Sequence, residues 1–141
     1  MDDDAHYASL FDTLEQDRKD QKVYCDVTVS VNNKHFSAHR CVLGTFCVYF
    51  ATLFQSGFKE KYDDVIKLSG PIGEEISPST FQSILDFCYK KRCELTASNV
   101  FDILGAAEFL QIDRLKQQCL QYLETLIGPE HWQKIYKTAI R

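Results

Sequence analysis

Between Cys25 and Ala38 the chain has few conformational choices. Cys25, Val27, Val29 and Val31 alternate with Asp26, Thr28 and Ser30, and a period of two puts the valines on one face of a strand and the polar residues on the other. Asn32-Asn33 follows directly. Asn tolerates positive φ, so this pair predicts a tight turn that returns the chain through Lys34 to Ser37 as a hairpin partner. Val42, Leu43, Phe46, Cys47, Phe50, Leu53 and Phe54 then recur at mixed spacings of three and four. That pattern predicts a helical hairpin or two short helices rather than more sheet.

On the N-terminal side, the acids at residues 2–4 precede Tyr7, Leu10, Phe11 and Leu14 at helical spacing, with the negative charges where a helix dipole favours them. The predicted first helix covers about residues 5–19. Its apolar stripe is narrow and the polar run EQDRKDQK follows, so it reads as a helix lying against something other than its own core. On the C-terminal side, Val65, Ile66 and Leu68 predict a short strand that joins the hairpin. SGPIGEEISPS reads as a loop from its glycines and prolines. Ser77 with Pro78 opens a helix on Phe81, Ile84, Leu85 and Cys88. Thr96 caps the next, through Val100 and Ala107, and Asp113 another, through Leu115 and Leu126. Gly128-Pro129 ends that helix and begins a last one, whose face of Trp132, Ile135, Tyr136 and Ala139 calls for a partner.

Composition excludes several function classes. With 141 residues, 45% of them hydrophobic and 13% aromatic, one compact domain with a real core is expected. The 16 Lys and Arg against 20 Asp and Glu supply no dense positive field for a phosphate backbone, so direct nucleic-acid binding is not expected. No apolar run approaches the ~20 residues that span a bilayer. The six cysteines read as reduced, mostly core residues of a cytoplasmic or nuclear protein, because no signal-like stretch follows MDDDAHYASL.

The residues with chemical potential are few. His35, His39, Cys41 and Cys47 offer metal-ligand types, but their spacing matches no finger and lacks a CxxC pair, so no metal is expected there. No nucleophile elbow, phosphate loop or paired-carboxylate signature appears, and neither catalytic residues nor a cofactor are expected. Cys93 stands beside Lys90, Lys91 and Arg92, cations of the kind that can lower a thiol pKa.

Taken together, residues 25–43 (CDVTVSVNNKHFSAHRCVL), 49–54 (YFATLF), 58–60 (FKE), 85–95 (LDFCYKKRCEL) and 106–123 (AAEFLQIDRLKQQCLQYL) resemble, in order and spacing, a BTB (POZ) domain of the kelch-like group. The SGPIGEEIS loop is longer than usual, and Thr45-Phe46-Cys47 stands where the family commonly has small residues and a serine. The resemblance implies an α+β fold, helix-rich, with a small mixed sheet flanked by helical hairpins. It places the BTB domain at residues 1–126 and the start of a helical extension leading to a BACK domain at 127–141.

The same resemblance implies a homodimer with the first helix across the two-fold, so that Tyr7, Leu10, Phe11 and Leu14 face the other subunit. Asp26, His39 and Arg40 then lie at or beside the dimer groove. Phe58 and Glu60, with Tyr49 as a secondary candidate, correspond to the hydrophobic-x-Glu motif by which kelch-like substrate adaptors grip cullin-3. Trp132, Ile135 and Tyr136 become the first face of the extension. The implied role is a non-enzymatic adaptor of a cullin-3 RING ubiquitin ligase, with a protein substrate held by a region outside this chain. The alternative is the BTB domain of a zinc-finger transcription factor, dimerising and presenting a groove to a corepressor.

Overall fold

Asn32 and Asn33 both hold left-handed backbone, at φ 50° and 69°. They join β1 (Val27–Val31) to β2 (Lys34–Ala38), which pair antiparallel with Val31 opposite Lys34 and Val27 opposite Ala38. Positive φ at both central residues is the type I′ turn whose twist suits a two-residue hairpin. The computed structural model describes residues 2–21, 23–55, 65–68, 76–90 and 92–127. β3 (Val65–Leu68) runs parallel to β1, with Val29 opposite Ile66, and gives the order β2-β1-β3. The alternation does what its period requires: Val27, Val29, Val31, Phe36, Ala38, Ile66 and Leu68 are all buried.

A parallel neighbour needs a crossover, and α2 (Arg40–Phe46) and α3 (Val48–Gln55) lie within it. Cys47 joins them: its N–H donates to the Leu43 carbonyl at 2.9 Å, and its carbonyl accepts from the Ala51 N–H at 3.0 Å. α4 (Pro78–Lys90) opens as the sequence predicts, with Ser77 Oγ accepting the Thr80 N–H at 3.1 Å. It buries Phe81, Ile84, Leu85, Phe87, Cys88 and Tyr89, and Phe81 meets Phe36 of β2 edge-on at 5.2 Å.

α5 (Val100–Leu110) and α6 (Asp113–Ile127) pack together beyond α4. Thr96 serves the turn before α5 rather than the helix itself. Its Oγ1 accepts the Asn99 N–H at 3.2 Å, while Asn99 Oδ1 accepts the Thr96 N–H at 2.8 Å, a reciprocal arrangement like a capping box. Asp113 is the first residue of α6 and not its cap, still within reach of the favourable dipole end.

The first helix departs from its prediction. α1 runs Asp2–Gln16 and continues as a π-helical turn, Asp17–Gln21. The polar run expected to be a charged flank is partly interior, with Asp17 4% and Arg18 7% exposed. A π turn holds more residues than an α turn and so changes the phase at which side chains leave the helix.

Candidate functional site

His39 stands between β2 and α2, in extended backbone at φ −119° and ψ 129°, and makes no side-chain cap to the helix it precedes. Asp26 supplies that bond from beside β1: its Oδ1 accepts the Arg40 N–H at 2.7 Å. Arg40 Nε in turn donates to the Asp26 carbonyl at 3.3 Å, and its guanidinium lies 5.0 Å from the centre of the Phe54 ring, where a cation is attracted to the π face. Asp26 is exposed. Asp26 and Arg40 are therefore tied through main-chain atoms, rather than as the buried carboxylate–guanidinium pair that a simple reading of two opposite charges suggests.

The His39 side chain is engaged elsewhere and is buried. Its Nε2 lies 2.8 Å from Asp17 Oδ2, its Nδ1 lies 2.6 Å from the Tyr89 hydroxyl, and its backbone N–H donates to the same hydroxyl at 3.0 Å. Cys25 Sγ completes the group, 3.4 Å from Asp17 Oδ2 and 3.7 Å from His39 Nε2. The carboxylate is oriented from behind, because Asp17 Oδ1 accepts the N–H groups of Val23 at 2.7 Å and Tyr24 at 3.1 Å. Burial by itself would raise the Asp17 carboxyl, but the hydrogen bonds from His39, Tyr24, Cys25 and Val23 outweigh it and the net shift is downward. Burial raises the Tyr89 phenol above its ordinary value.

A cationic layer adjoins this group. The Arg18 guanidinium sits 4.9 Å from the Tyr89 ring centre and bonds Glu15, which also meets Lys19 at 3.3 Å and Lys90 at 3.1 Å. Burial tends to raise Glu15, yet these cations hold it below the usual carboxylate range. Asp17, Arg18, Glu15 and Tyr89 were not singled out in the sequence. The one available signal was an acid and an arginine inside a run that otherwise reads as solvated.

The cluster does not form a nucleophilic relay. In such a relay the histidine uses one ring nitrogen for the thiol and the other for the carboxylate, whereas here Cys25 and Asp17 both address Nε2. Nor does the structure gather the four metal-type residues noted in the sequence. His35 and Cys41 are exposed, and Cys47 lies inside with its Sγ 4.0 Å from Cys88 Sγ. His39 joins Asp17 and Cys25 instead, the three donor atoms all within 4.8 Å of one another.

Cys93 is half-buried, and burial together with Asp86 and Glu94 pushes its thiol up to about 11, against a downward contribution from Ser83. The net shift is upward, opposite to what a neighbouring cation would produce. With its pKa about 2 units above the ordinary value, the thiolate fraction near neutral pH falls roughly 100-fold. Alkylation at pH 7.5 followed by peptide mass spectrometry should therefore show Cys93 modified much more slowly than exposed Cys41. Equal rates would contradict this environment.

The apolar stripe of α1 divides. Phe11 and Leu14 are partly buried against the chain's own core, with the Phe11 ring 6.3 Å from that of Phe46. Tyr7 and Leu10 are 59% and 52% exposed, so the stripe is only half used within one chain. Tyr49 is half-buried, its ring 5.1 Å from Phe109 and 5.3 Å from Phe50. Phe58, Glu60, Trp132, Ile135 and Tyr136, with most of the SGPIGEEISPS stretch, lie outside the described residues.

Hairpin, helical pair, returning parallel strand and buried FSAHR histidine coincide with a match of residues 14–126 to the BTB/POZ domain model. The chain belongs to the BTB/POZ family. It is 32% identical over 138 residues to Kelch repeat and BTB domain-containing protein 8 of Xenopus tropicalis, across 97% of this chain and 22% of that protein. The chain thus spans about a fifth of that relative's length. The BTB domain of zebrafish PATZ1 superposes with a TM-score of 0.74 at 27% identity, over 85% of this chain and 92% of that one. BTB/POZ domains are protein-interaction modules, and this chain carries that fold with its helix-rich α+β architecture intact.

Proposed function

We propose that this BTB domain is the homodimeric, non-enzymatic module of a cullin-3 RING ubiquitin ligase substrate adaptor, acting in the cytoplasm, the nucleus or both. The observation that carries this reading is the likeness to a kelch-repeat BTB protein along 97% of the chain, joined to a Phe58-Lys59-Glu60 triplet directly after LFQSG. In this reading residues 1–126 are the BTB domain and 127–141 begin the extension, with Trp132, Ile135 and Tyr136 as its first apolar face. Tyr7, Leu10, Phe11 and Leu14 meet the other subunit, with Asp26, His39 and Arg40 at or beside that interface. Phe58 anchors the cullin, Glu60 gives the contact direction, and Tyr49 borders the same surface. A protein substrate is held by a region beyond this chain.

Titration of the purified chain with the N-terminal region of cullin-3 tests it. Native protein should bind, and Phe58→Ala should lose about 2 kcal/mol or more, as loss of a buried aromatic anchor does; Glu60→Ala should also weaken binding. Absence of binding by the native chain would reject the adaptor reading. The second reading, a transcription-factor BTB domain recruiting a corepressor, keeps the same dimer. The likeness to the PATZ1 BTB domain serves it as well as the first.

A further inference from the structure

We propose that Asp17, Cys25 and His39 form a zinc-binding site. The sequence led to no metal expectation, because the ligands come from three separate places: a π turn, the approach to β1 and the β2–α2 junction. Tertiary structure alone brings them together.

The donor set is a carboxylate, a thiol and an imidazole. Sulfur argues against Mg2+ and Ca2+, which take oxygen ligands, and the N/O/S combination suits Zn2+. Geometry agrees. The three donor atoms are 2.8, 3.4 and 3.7 Å apart, so they lie on a circle of radius about 1.9 Å, close to the ~2.0–2.3 Å of Zn–O, Zn–N and Zn–S bonds. An ion near its centre reaches all three with little movement of the side chains. Deprotonated Cys25 and Asp17 would carry two negative charges, matching the divalent ion.

The surroundings are those a metal site uses. Zinc-bound histidines hydrogen-bond through the other ring nitrogen, which fixes tautomer and orientation; Nδ1 of His39 has the Tyr89 hydroxyl at 2.6 Å for this purpose. Asp17 Oδ1 is held by the Val23 and Tyr24 N–H groups, which aims Oδ2 at the cluster. Arg18, which lies against the Tyr89 ring, is engaged by Glu15. A depression of about 300 Å3 lined by Asp12, Thr13, Gln16, Asp17 and Tyr24 borders the group at Asp17. On binding, the Cys25 proton leaves to solvent and Nε2 gives its lone pair to the metal, so Nδ1 carries the ring proton and donates it to Tyr89.

The test is a titration of the reduced, chelator-treated chain with Co2+ as the spectroscopic probe and Zn2+ as competitor. One equivalent of Co2+ should develop thiolate-to-metal charge-transfer absorption with the visible bands of a four-coordinate ion, and one equivalent of Zn2+ should remove both. Cys25→Ser, verified by circular dichroism, should lose the charge-transfer band; Cys41→Ser should keep it. Tyr89→Phe, a positioning change, should weaken Zn2+ by about 10–100-fold with the band retained. If Cys25→Ser does not fold, X-ray absorption of the native zinc-loaded chain decides: one sulfur at ~2.3 Å supports the site, and none or several overturns it. Failure of the native chain to bind Co2+, or a band that survives Cys25→Ser, also overturns it.

Discussion

Phe81→Ala should lower the free energy of unfolding by about 3–5 kcal/mol, the range for deleting a fully buried aromatic ring. Phe81 is wholly buried and its ring meets Phe36 edge-on at 5.2 Å, so it links the first turn of α4 to the face of β2. Removing it opens a void where sheet and helix layers join, and Phe36 loses its aromatic partner. Domains of this size are stable by only about 5–15 kcal/mol, so the variant gives up a large share of the total. Urea denaturation at fixed protein concentration should show the midpoint falling by about 2 M with the slope unchanged. A loss below about 1 kcal/mol would mean that Phe81 is not the joint between these layers.

Leu10→Glu should turn the proposed dimer into a monomer. Leu10 is 52% exposed in the single chain while Phe11 beside it and Leu14 one turn on are partly covered by the chain's own core. A charge at Leu10 therefore costs the isolated fold little. In a two-fold interface the same patch is used by both subunits, so each substitution counts twice and two carboxylates lose water in an apolar contact. A rise of at least about 100-fold in the dimer dissociation constant is expected, equal to roughly 2.7 kcal/mol. Light scattering coupled to size exclusion over a concentration series measures it. A variant as dimeric as the native chain would refute the placement of α1 across the two-fold.

Several elements were legible because their cause is local. Asn32-Asn33 predicted a tight turn, and both residues hold positive φ. The alternation from Val27 to Val31 predicted which residues are interior, and Ser77-Pro78 predicted the start of α4. Even β3 could be read from three apolar residues, although its neighbour and its direction could not. Two boundary readings missed by a few residues: Thr96 caps the turn ahead of α5, and Asp113 begins α6 instead of capping it. Short polar side chains near a helix start can serve either position, and the choice depends on backbone angles that no pattern displays.

The sequence by itself determined the hairpin, the paired helices after it, the buried faces of α4 and α5, that of α6 except for Leu126, which is exposed, and the family to which the chain belongs. Each rests on periodicity, turn chemistry or an ordered set of motifs. Only the tertiary structure decided what Asp17, Arg18 and His39 do. Asp17 and His39 are 22 residues apart and His39 and Tyr89 are 50 apart. A polar side chain is interior or solvated according to whether a distant partner can replace its water. Local polarity made the run after α1 look like a surface; the Asp17–His39–Tyr89 group made part of it core.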